Sequence, residues 1–136
     1  MATRQLDRLA GPVYAAALRF VEVCRVEGLD VLIYCTLRDD AEQAALYAQG
    51  RTTPGAIVTN ARPGQSLHNP QLDGKAWAFD AVPMRHGKAL WSDDAALSAM
   101  GRAGEAAGLE WAGRWRGKLR ERVHFQIKPP AELRRA

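Results

Sequence analysis

Ala76-Trp77-Ala78-Phe79-Asp80-Ala81-Val82 is the stretch that decides the fold, because it is an apolar run with one carboxylate inside it. The run ends at Pro83 and predicts a strand over 76–82. Strand side chains alternate between two faces, so we expect Trp77 and Phe79 in the core, and Asp80 on the opposite face beside small alanines. A buried carboxylate is unfavourable unless it is paired, hydrogen-bonded or bound to a metal. The segment therefore predicts a strand that carries a functional group.

The other elements are predicted from the spacing of apolar residues around this strand. Helical spacing predicts helices over 7–27, from Asp39 or Asp40 to about 49, and over 92–107. Apolar and β-branched runs predict strands over 29–37, 109–111 and 123–127, with a loop over 50–64 and a turn over 85–88. The predicted helices lie mainly in the first part of the chain, whereas the predicted strands lie mainly in its centre and last part. This order predicts an α+β fold, with helices packed on a small antiparallel sheet.

Composition bounds the class of protein. The chain has 136 residues, 47% of them apolar and 25% charged, which predicts one domain over 1–136. Its two cysteines exclude a disulfide framework. No apolar run approaches the roughly 20 residues of a membrane span, so we expect no stable membrane insertion. The N-terminus lacks the apolar core of a secretory signal, and we expect synthesis in the cytoplasm without a signal peptide.

The net charge of +4 is mild, but the basic residues concentrate late in the chain. Five of them lie between Arg114 and Arg122, where Glu121 is the one acidic residue. Such a stretch suits contact with a polyanion, either nucleic acid, anionic lipid or an acidic cell-wall polymer. It equally suits a solvated basic loop. Charge alone does not name the partner.

Two of the three histidines stand in unusual settings. His68 follows the loop rich in Gly and Pro, and His124 alternates with Val123 and Phe125 in a predicted strand, whereas His86 lies in a basic turn typical of the surface. With Asp80, His68 and His124 make a common catalytic zinc set, which leaves a fourth position for water. Glu121, three residues before His124, is then the natural proton acceptor. Taken singly, each residue also suits a structural role, such as a satisfied core histidine or a turn aspartate.

Several blocks in order resemble one family. They are Thr36-Leu-Arg38, Glu42-Gln43-Ala-Ala-Leu-Tyr47-Ala-Gln-Gly-Arg-Thr52, Pro54-Gly-Ala-Ile-Val-Thr-Asn-Ala61, Gly64-Gln-Ser66-Leu-His68-Asn69, Ala78-Phe-Asp80, Gly108-Leu-Glu-Trp-Ala-Gly-Arg-Trp115 and His124-Phe-Gln126. Together they resemble the zinc-dependent peptidoglycan peptidases that include D-Ala-D-Ala carboxypeptidases and phage L-alanyl-D-glutamate endopeptidases. The resemblance runs from about Val31 to Ile127 and is greatest to the catalytic domains of phage endolysins.

This resemblance implies a role for each matching residue. His68, Asp80 and His124 correspond to the zinc ligands, and Glu121 to the catalytic acid and base. Arg38 corresponds to the arginine that faces the substrate carbonyl, whereas Ser66 and Gln43 correspond to residues that support the ligands or face the substrate. The implied fold is the small α+β domain of the Hedgehog/D,D-peptidase type, with Zn²⁺ in a surface groove. The implied substrate is the peptidoglycan stem peptide, cut at the L-Ala–D-Glu bond.

The carboxylate ligand is where the chain departs from the family pattern. Asp80 lies 12 residues after His68, farther than in the family, and the lengthened 69–77 loop also contains Asp73 nearer to His68. Asp73-Gly74 is a sequence that forms a turn by itself, since Asp accepts local backbone hydrogen bonds and Gly supplies a positive φ. A strand residue with small neighbours has room for a metal, and a strand holds a ligand more rigidly than a turn. We therefore expect Asp80 as the ligand.

Other functions remain open at this point. The chain resembles an endolysin that degrades the host cell wall in bacteriophage lysis, an antimicrobial activity, after release from the cytoplasm by a separate partner. No separate cell-wall-binding domain is predicted, and we expect a monomer with no nucleic-acid partner. The nearest alternative is a carboxypeptidase that removes terminal D-Ala. The alternatives of another class are a small basic metal-dependent nuclease, suggested by His68-Asn69, and an inactive wall-binding module.

Overall fold

The computed structural model describes residues 3–135, and it confirms an α+β fold with helices on an antiparallel sheet. The helices are α1 (Gly11–Val26), α2 (Asp40–Ala48) and α3 (Asp94–Ala106), and the strands are β1 (Asp30–Cys35), β2 (Ala78–Arg85), β3 (Lys88–Ala89), β4 (Glu110–Trp111) and β5 (His124–Gln126). The sheet order is β1-β2-β5-β4, with β3 paired to β2 as a hairpin. No helix within residues 3–135 is long and apolar enough to cross a membrane.

Helix α1 begins later than its apolar spacing predicts. Residues 6–8 form a separate 3-10 turn, and the backbone of Ala10 donates a hydrogen bond to the carbonyl of Ala76. This pairing with the start of the central strand prevents residues 8–10 from continuing as helix. Pro12 then lies in the first turn of α1, where its missing N–H leaves no hydrogen bond unmade. The predicted start at Asp7 was therefore wrong, whereas the helix itself is confirmed, with five of its residues buried.

Strand β2 continues through the proline that we expected to end it. Pro83 stands opposite Val31 of β1, and its carbonyl still accepts a hydrogen bond from the N–H of Leu90. Proline removes only a donor from a strand, so pairing continues to Arg85 and into the hairpin with β3. The hairpin turn contains His86 and Gly87, both with positive φ. His86 is exposed there, as predicted.

The core lies between α1, α3 and one face of the sheet. Phe20 of α1 packs on Phe79 of β2 and Phe125 of β5, with ring centroids 5.5 and 4.9 Å away. Helix α3 approaches the sheet through two glycines: Gly101 faces the Trp111 ring and Gly104 faces the Phe125 ring. A Cβ at either position would come closer than 3.0 Å to these rings. The glycines therefore set the distance between α3 and the sheet.

We predict that Gly104→Ala lowers the stability of the protein, although alanine favours a helix by about 1 kcal/mol relative to glycine. The added methyl meets the buried Phe125 ring, and such overpacking typically costs about 1–3 kcal/mol. Urea unfolding followed by circular dichroism measures the change. Gly11→Ala is the matched control, because no atom lies within 4 Å of a Cβ built there. Equal or higher stability of Gly104→Ala than of Gly11→Ala would show that α3 is free to move away from the sheet.

Candidate metal centre and its groove

Two strands and one loop bring His68, Asp80 and His124 together. Asp80 of β2 stands opposite His124 of β5 in the antiparallel register, and His68 comes from the long loop between α2 and β2. Oδ1 of Asp80 lies 3.0 Å from Nε2 of His68 and 3.2 Å from Nδ1 of His124. All three side chains are buried. The structure therefore gathers the three residues that the sequence pattern predicted as a set.

The outer nitrogen of each histidine ring faces a hydrogen-bond acceptor. Nδ1 of His68 lies 2.8 Å from the carbonyl oxygen of Thr36, and Nε2 of His124 lies 2.9 Å from Oε1 of Gln126. Because these oxygens only accept, each outer nitrogen carries a proton and donates it. The inner nitrogens, Nε2 of His68 and Nδ1 of His124, then face Asp80, and these are the nitrogens on which a bound metal ion would replace a proton. Metal-ligating histidines are oriented in this manner by the acceptor behind the ring.

Glu121 lies at the open edge of the cluster. It belongs to the loop that leads into β5, its side chain is about half exposed, and its Oε2 is 3.8 Å from Nδ1 of His124. Ligand atoms of Asp80, Glu121 and His124 all lie within 4.8 Å of one another. Two imidazoles and one buried carboxylate suit a divalent transition metal. The second carboxylate, Glu121, is solvated and lies at the side of the cluster that stays open.

Arg38 and Gln43 form a second polar layer beside the cluster. Nη2 of Arg38 lies 3.9 Å from Oδ2 of Asp80, and its Nη1 donates to Oε1 of Gln43 at 3.0 Å. Gln43 is fully buried and donates in turn to the carbonyl of Ala61 at 2.7 Å. Ser66 accepts a hydrogen bond from the backbone N–H of His68 through its Oγ at 3.1 Å. Gln43 and Ser66 thus hold the arginine and the histidine loop.

Cys35 is a neighbour of the cluster that our sequence reasoning missed. Its Sγ lies 3.8 Å from Nδ1 of His68 and accepts a hydrogen bond from Nη2 of Arg38 at 3.6 Å. Ligand atoms of Cys35, His68 and Asp80 also lie within 4.8 Å of one another. Cys35 ends β1 at the position opposite Asp80, so strand pairing is the signal that identifies it. Pairing partners are not readable from one strand alone.

The electrostatics of the cluster are dominated by the buried carboxylate. Burial lowers the pKa of His68, but the charge of Asp80 and its hydrogen bond outweigh burial and raise that pKa to about 10. Burial raises the pKa of Asp80, yet the charge of His68 and hydrogen bonds from both histidines hold it well below its usual range. Without a metal ion, the two groups therefore form a buried ion pair. A bound cation would replace the proton of His68 in neutralising Asp80.

The cluster lies at the base of a groove of about 800 Å³. Its wall includes Trp115, whose ring centroid is 5.7 Å from that of His124. Three basic residues also line the groove: Lys118, Lys128 and Arg134. In the basic 114–122 stretch, two of the arginines pair with carboxylates elsewhere, Arg114 with Glu105 and Arg122 with Asp94, whereas Lys118 faces the groove.

The lengthened 69–77 loop packs away from the groove, since none of these described residues lines it. The N–H of Leu72 donates to the carbonyl of Leu133, which ties the loop to the C-terminal segment. Asp73 is exposed, and its carboxylate accepts from the N–H of Lys75 and from Nε1 of Trp77. The turn predicted for Asp73-Gly74 is thus confirmed. Asn69 donates to the carbonyl of Arg38 and accepts from the N–H of Gly64, so its amide supports the loop.

The fold and the site together define a class of protein: a small α+β domain with a buried His–Asp–His cluster at the base of a groove. No family model matches the chain. It is 33% identical over 113 residues, 76% of this chain, to the peptidoglycan L-alanyl-D-glutamate endopeptidase CwlK of Bacillus subtilis. The chain spans 64% of that relative's length, slightly less than two thirds.

A solved structure matches the fold over most of its length. The crystal structure of the L-Ala D-Glu endopeptidase ChiX of Serratia marcescens superposes with a TM-score of 0.63 at 18% identity, covering 90% of this chain and 83% of that one. The likeness of fold agrees with the likeness of sequence to the Bacillus relative. The chain is therefore similar in sequence to one L-alanyl-D-glutamate endopeptidase and similar in fold to another, in agreement with the family that its motifs resemble.

We predict a pH-dependent contribution of the His68–Asp80 pair to the stability of the metal-free protein. His68 has a raised pKa, so its contribution is fully present below its unfolded pKa of about 6.5 and is lost as the pH rises toward 10. Asp80 has a lowered pKa, so its contribution is present above its unfolded pKa of about 3.9 and is lost in acid. The stability difference between wild type and Asp80→Asn should therefore be greatest between these two values.

Urea unfolding in the presence of a chelator, repeated from pH 4 to pH 10, measures this difference. Asp73→Asn, at an exposed carboxylate outside the cluster, serves as the control. A wild-type advantage over Asp80→Asn that stays constant up to pH 10 would contradict the buried ion pair.

Proposed function

We propose that this protein is a zinc-dependent peptidoglycan endopeptidase that hydrolyses the L-Ala–D-Glu bond of the stem peptide. The observation that carries the proposal is the convergence of His68, Asp80 and His124, with Glu121 beside them, at the base of a groove. Support comes also from the Bacillus relative, which bears the name of that activity. We propose the domain, residues 1–136, as a monomeric catalytic unit.

In this proposal Nε2 of His68, a carboxylate oxygen of Asp80 and Nδ1 of His124 hold the metal. The donor set of two imidazoles and one carboxylate is typical of catalytic zinc. When bound, zinc lowers the pKa of a water and polarises the scissile carbonyl. The protein contributes the rigid placement of the ligands: two lie on paired strands, and the third ring is held by the carbonyl of Thr36.

Glu121 and Arg38 supply the remaining chemistry. Glu121 accepts the proton of the attacking water and then donates it to the leaving amine, for which its half-exposed carboxylate at the open edge of the cluster is suited. The guanidinium of Arg38, 3.9 Å from Oδ2 of Asp80, stabilises the negative charge that develops on the carbonyl oxygen. Gln43 keeps the guanidinium in place through a hydrogen bond to Nη1.

The groove suits an acidic peptide. Its lining includes the basic residues Lys118, Lys128 and Arg134. The stem peptide carries free carboxylates, including the α-carboxylate of γ-linked D-Glu, which these residues would attract. We propose that the enzyme acts on the cell wall after release from the cytoplasm, in bacteriophage lysis of a host, and that this gives it antimicrobial activity.

The products released from purified peptidoglycan sacculi test the proposal. Mass spectrometry should find peptides that begin with D-Glu, together with glycan strands that keep only L-Ala, and a chelator should abolish both. Free D-Ala as the main product would instead indicate the carboxypeptidase. Undiminished release of peptides in the chelator would contradict a zinc mechanism.

We predict that Glu121→Gln keeps the fold and the bound zinc but loses activity, because an amide does not accept the proton of water. General acid–base catalysis typically contributes about 10²–10⁴-fold, and the rate on sacculi should fall by at least the lower figure. Glu132→Gln, at an exposed glutamate outside the groove lining, is the matched control. Loss of zinc from Glu121→Gln would show that Glu121 is a metal ligand instead.

We predict opposite outcomes for the two aspartates that compete as ligand. Asp80→Ala should abolish tight zinc binding and activity, because Asp80 is the buried carboxylate between the two imidazoles. Asp73→Ala should leave both nearly intact, because the Asp73 carboxylate is exposed and bonded to Lys75 and Trp77. Titration of each purified variant with zinc decides between them. Tight binding by Asp80→Ala with loss in Asp73→Ala would reverse the assignment.

A further inference from the structure

The carboxylate of Glu110 joins two parts of the site, although the mechanism above does not use it. Its Oε1 accepts a hydrogen bond from Nε2 of Gln126 at 3.1 Å, and its Oε2 accepts one from Nε1 of Trp115 at 2.8 Å. Glu110 in β4 stands opposite Gln126 in β5, so sheet pairing places the carboxylate beside that amide. One exposed side chain thus contacts both the residue behind His124 and the aromatic wall of the groove.

The donor-to-acceptor direction of these hydrogen bonds determines which nitrogen of His124 carries the proton. An ionised carboxylate only accepts, so Glu110 orients the amide of Gln126 with its NH₂ group outward and its Oε1 toward His124. That oxygen also only accepts, so Nε2 of His124 is the donor. Nδ1, which faces Asp80, is then the nitrogen that a metal ion beside Asp80 would bind.

The second oxygen of Glu110 acts on the groove wall. Trp115 lies directly after the 3-10 turn Ala112–Arg114, and its ring lies beside that of His124. The hydrogen bond from Nε1 to Glu110 keeps the indole from rotating away from the groove. The same carboxylate therefore orients a ligand histidine and the residue that packs on it.

We infer that Glu110 is a positioning residue, which sets the ring tautomer of His124 through Gln126 and holds Trp115 in the groove wall. The expected effect on zinc affinity rests on the metal site of the proposed function. Mutation of the hydrogen-bond partner behind a metal-ligating histidine typically lowers metal affinity or activity about 10–100-fold. We expect a loss of this size in zinc affinity when Glu110 no longer accepts from both partners.

Glu110→Gln is the sharpest variant, because it keeps the size of the side chain and replaces one acceptor oxygen with a donor NH₂ group. Either Gln126 turns its NH₂ group toward His124 and places the proton on the ligand atom Nδ1, or Trp115 loses its acceptor. Glu105→Gln is the matched control: it is an exposed glutamate on α3 that binds Arg114 and contacts neither partner. Melting temperatures of the metal-free proteins verify that both variants fold.

Two measurements are made on each variant. Competition with a zinc-binding dye gives the zinc affinity. Nitrogen–hydrogen correlation spectra of the metal-free protein show which ring nitrogen of His124 carries the proton and whether the Trp115 indole N–H has changed its environment. We expect Glu110→Gln to lose about 10–100-fold in zinc affinity with a change in at least one of these signals, and Glu105→Gln to match wild type in both measurements.

Two results overturn the inference: unchanged zinc affinity in Glu110→Gln, or reduced affinity with unaltered His124 and Trp115 signals. A wild-type protein that binds no zinc would contradict the proposed function instead. In that case the ring signals of the metal-free variants still decide whether Glu110 positions His124.

Discussion

The antiparallel register between β2 and β5 is the constraint on which the rest of the structure depends. It places Asp80 opposite His124 and, one residue earlier, Phe79 opposite Phe125. The two phenylalanine rings stack on the core side with centroids 5.4 Å apart, whereas the carboxylate and the imidazole meet on the other side. A shift of one residue would exchange the two faces, so the packing of the core also determines the geometry of the site.

The buried charge of Asp80 explains why so many polar groups surround it. A carboxylate removed from water is stable only with partners, and here two imidazoles and the guanidinium of Arg38 supply them. Each partner is held by a further group: the carbonyl of Thr36 behind His68, Gln126 behind His124 and Gln43 beside Arg38. Such layers keep donor atoms in place before any ligand arrives, which is the condition for precise metal binding and catalysis.

The sequence predicted the parts of the site that depend on local pattern. Alternation along one strand sufficed to put Phe79 in the core and Asp80 opposite it, and the turn at Asp73 followed from its own residue types. The prediction failed at the end of β2 and at the start of α1. There, hydrogen bonds from Leu90 to Pro83 and from Ala10 to Ala76 decide where the elements end or begin. Cys35 and Glu110 were not found, because each reaches the site only through the partner strand that faces it.

The central claim is that His68, Asp80 and His124 together hold one zinc ion. Diffraction from crystals grown with zinc, recorded just above and just below the zinc absorption edge, tests it most directly. We expect one anomalous peak per chain, at bonding distance from Nε2 of His68, a carboxylate oxygen of Asp80 and Nδ1 of His124. Zinc–nitrogen and zinc–oxygen distances should be about 2.0–2.2 Å. A peak ligated instead by the thiolate of Cys35, or a fully occupied zinc elsewhere with none between the histidines, would contradict it.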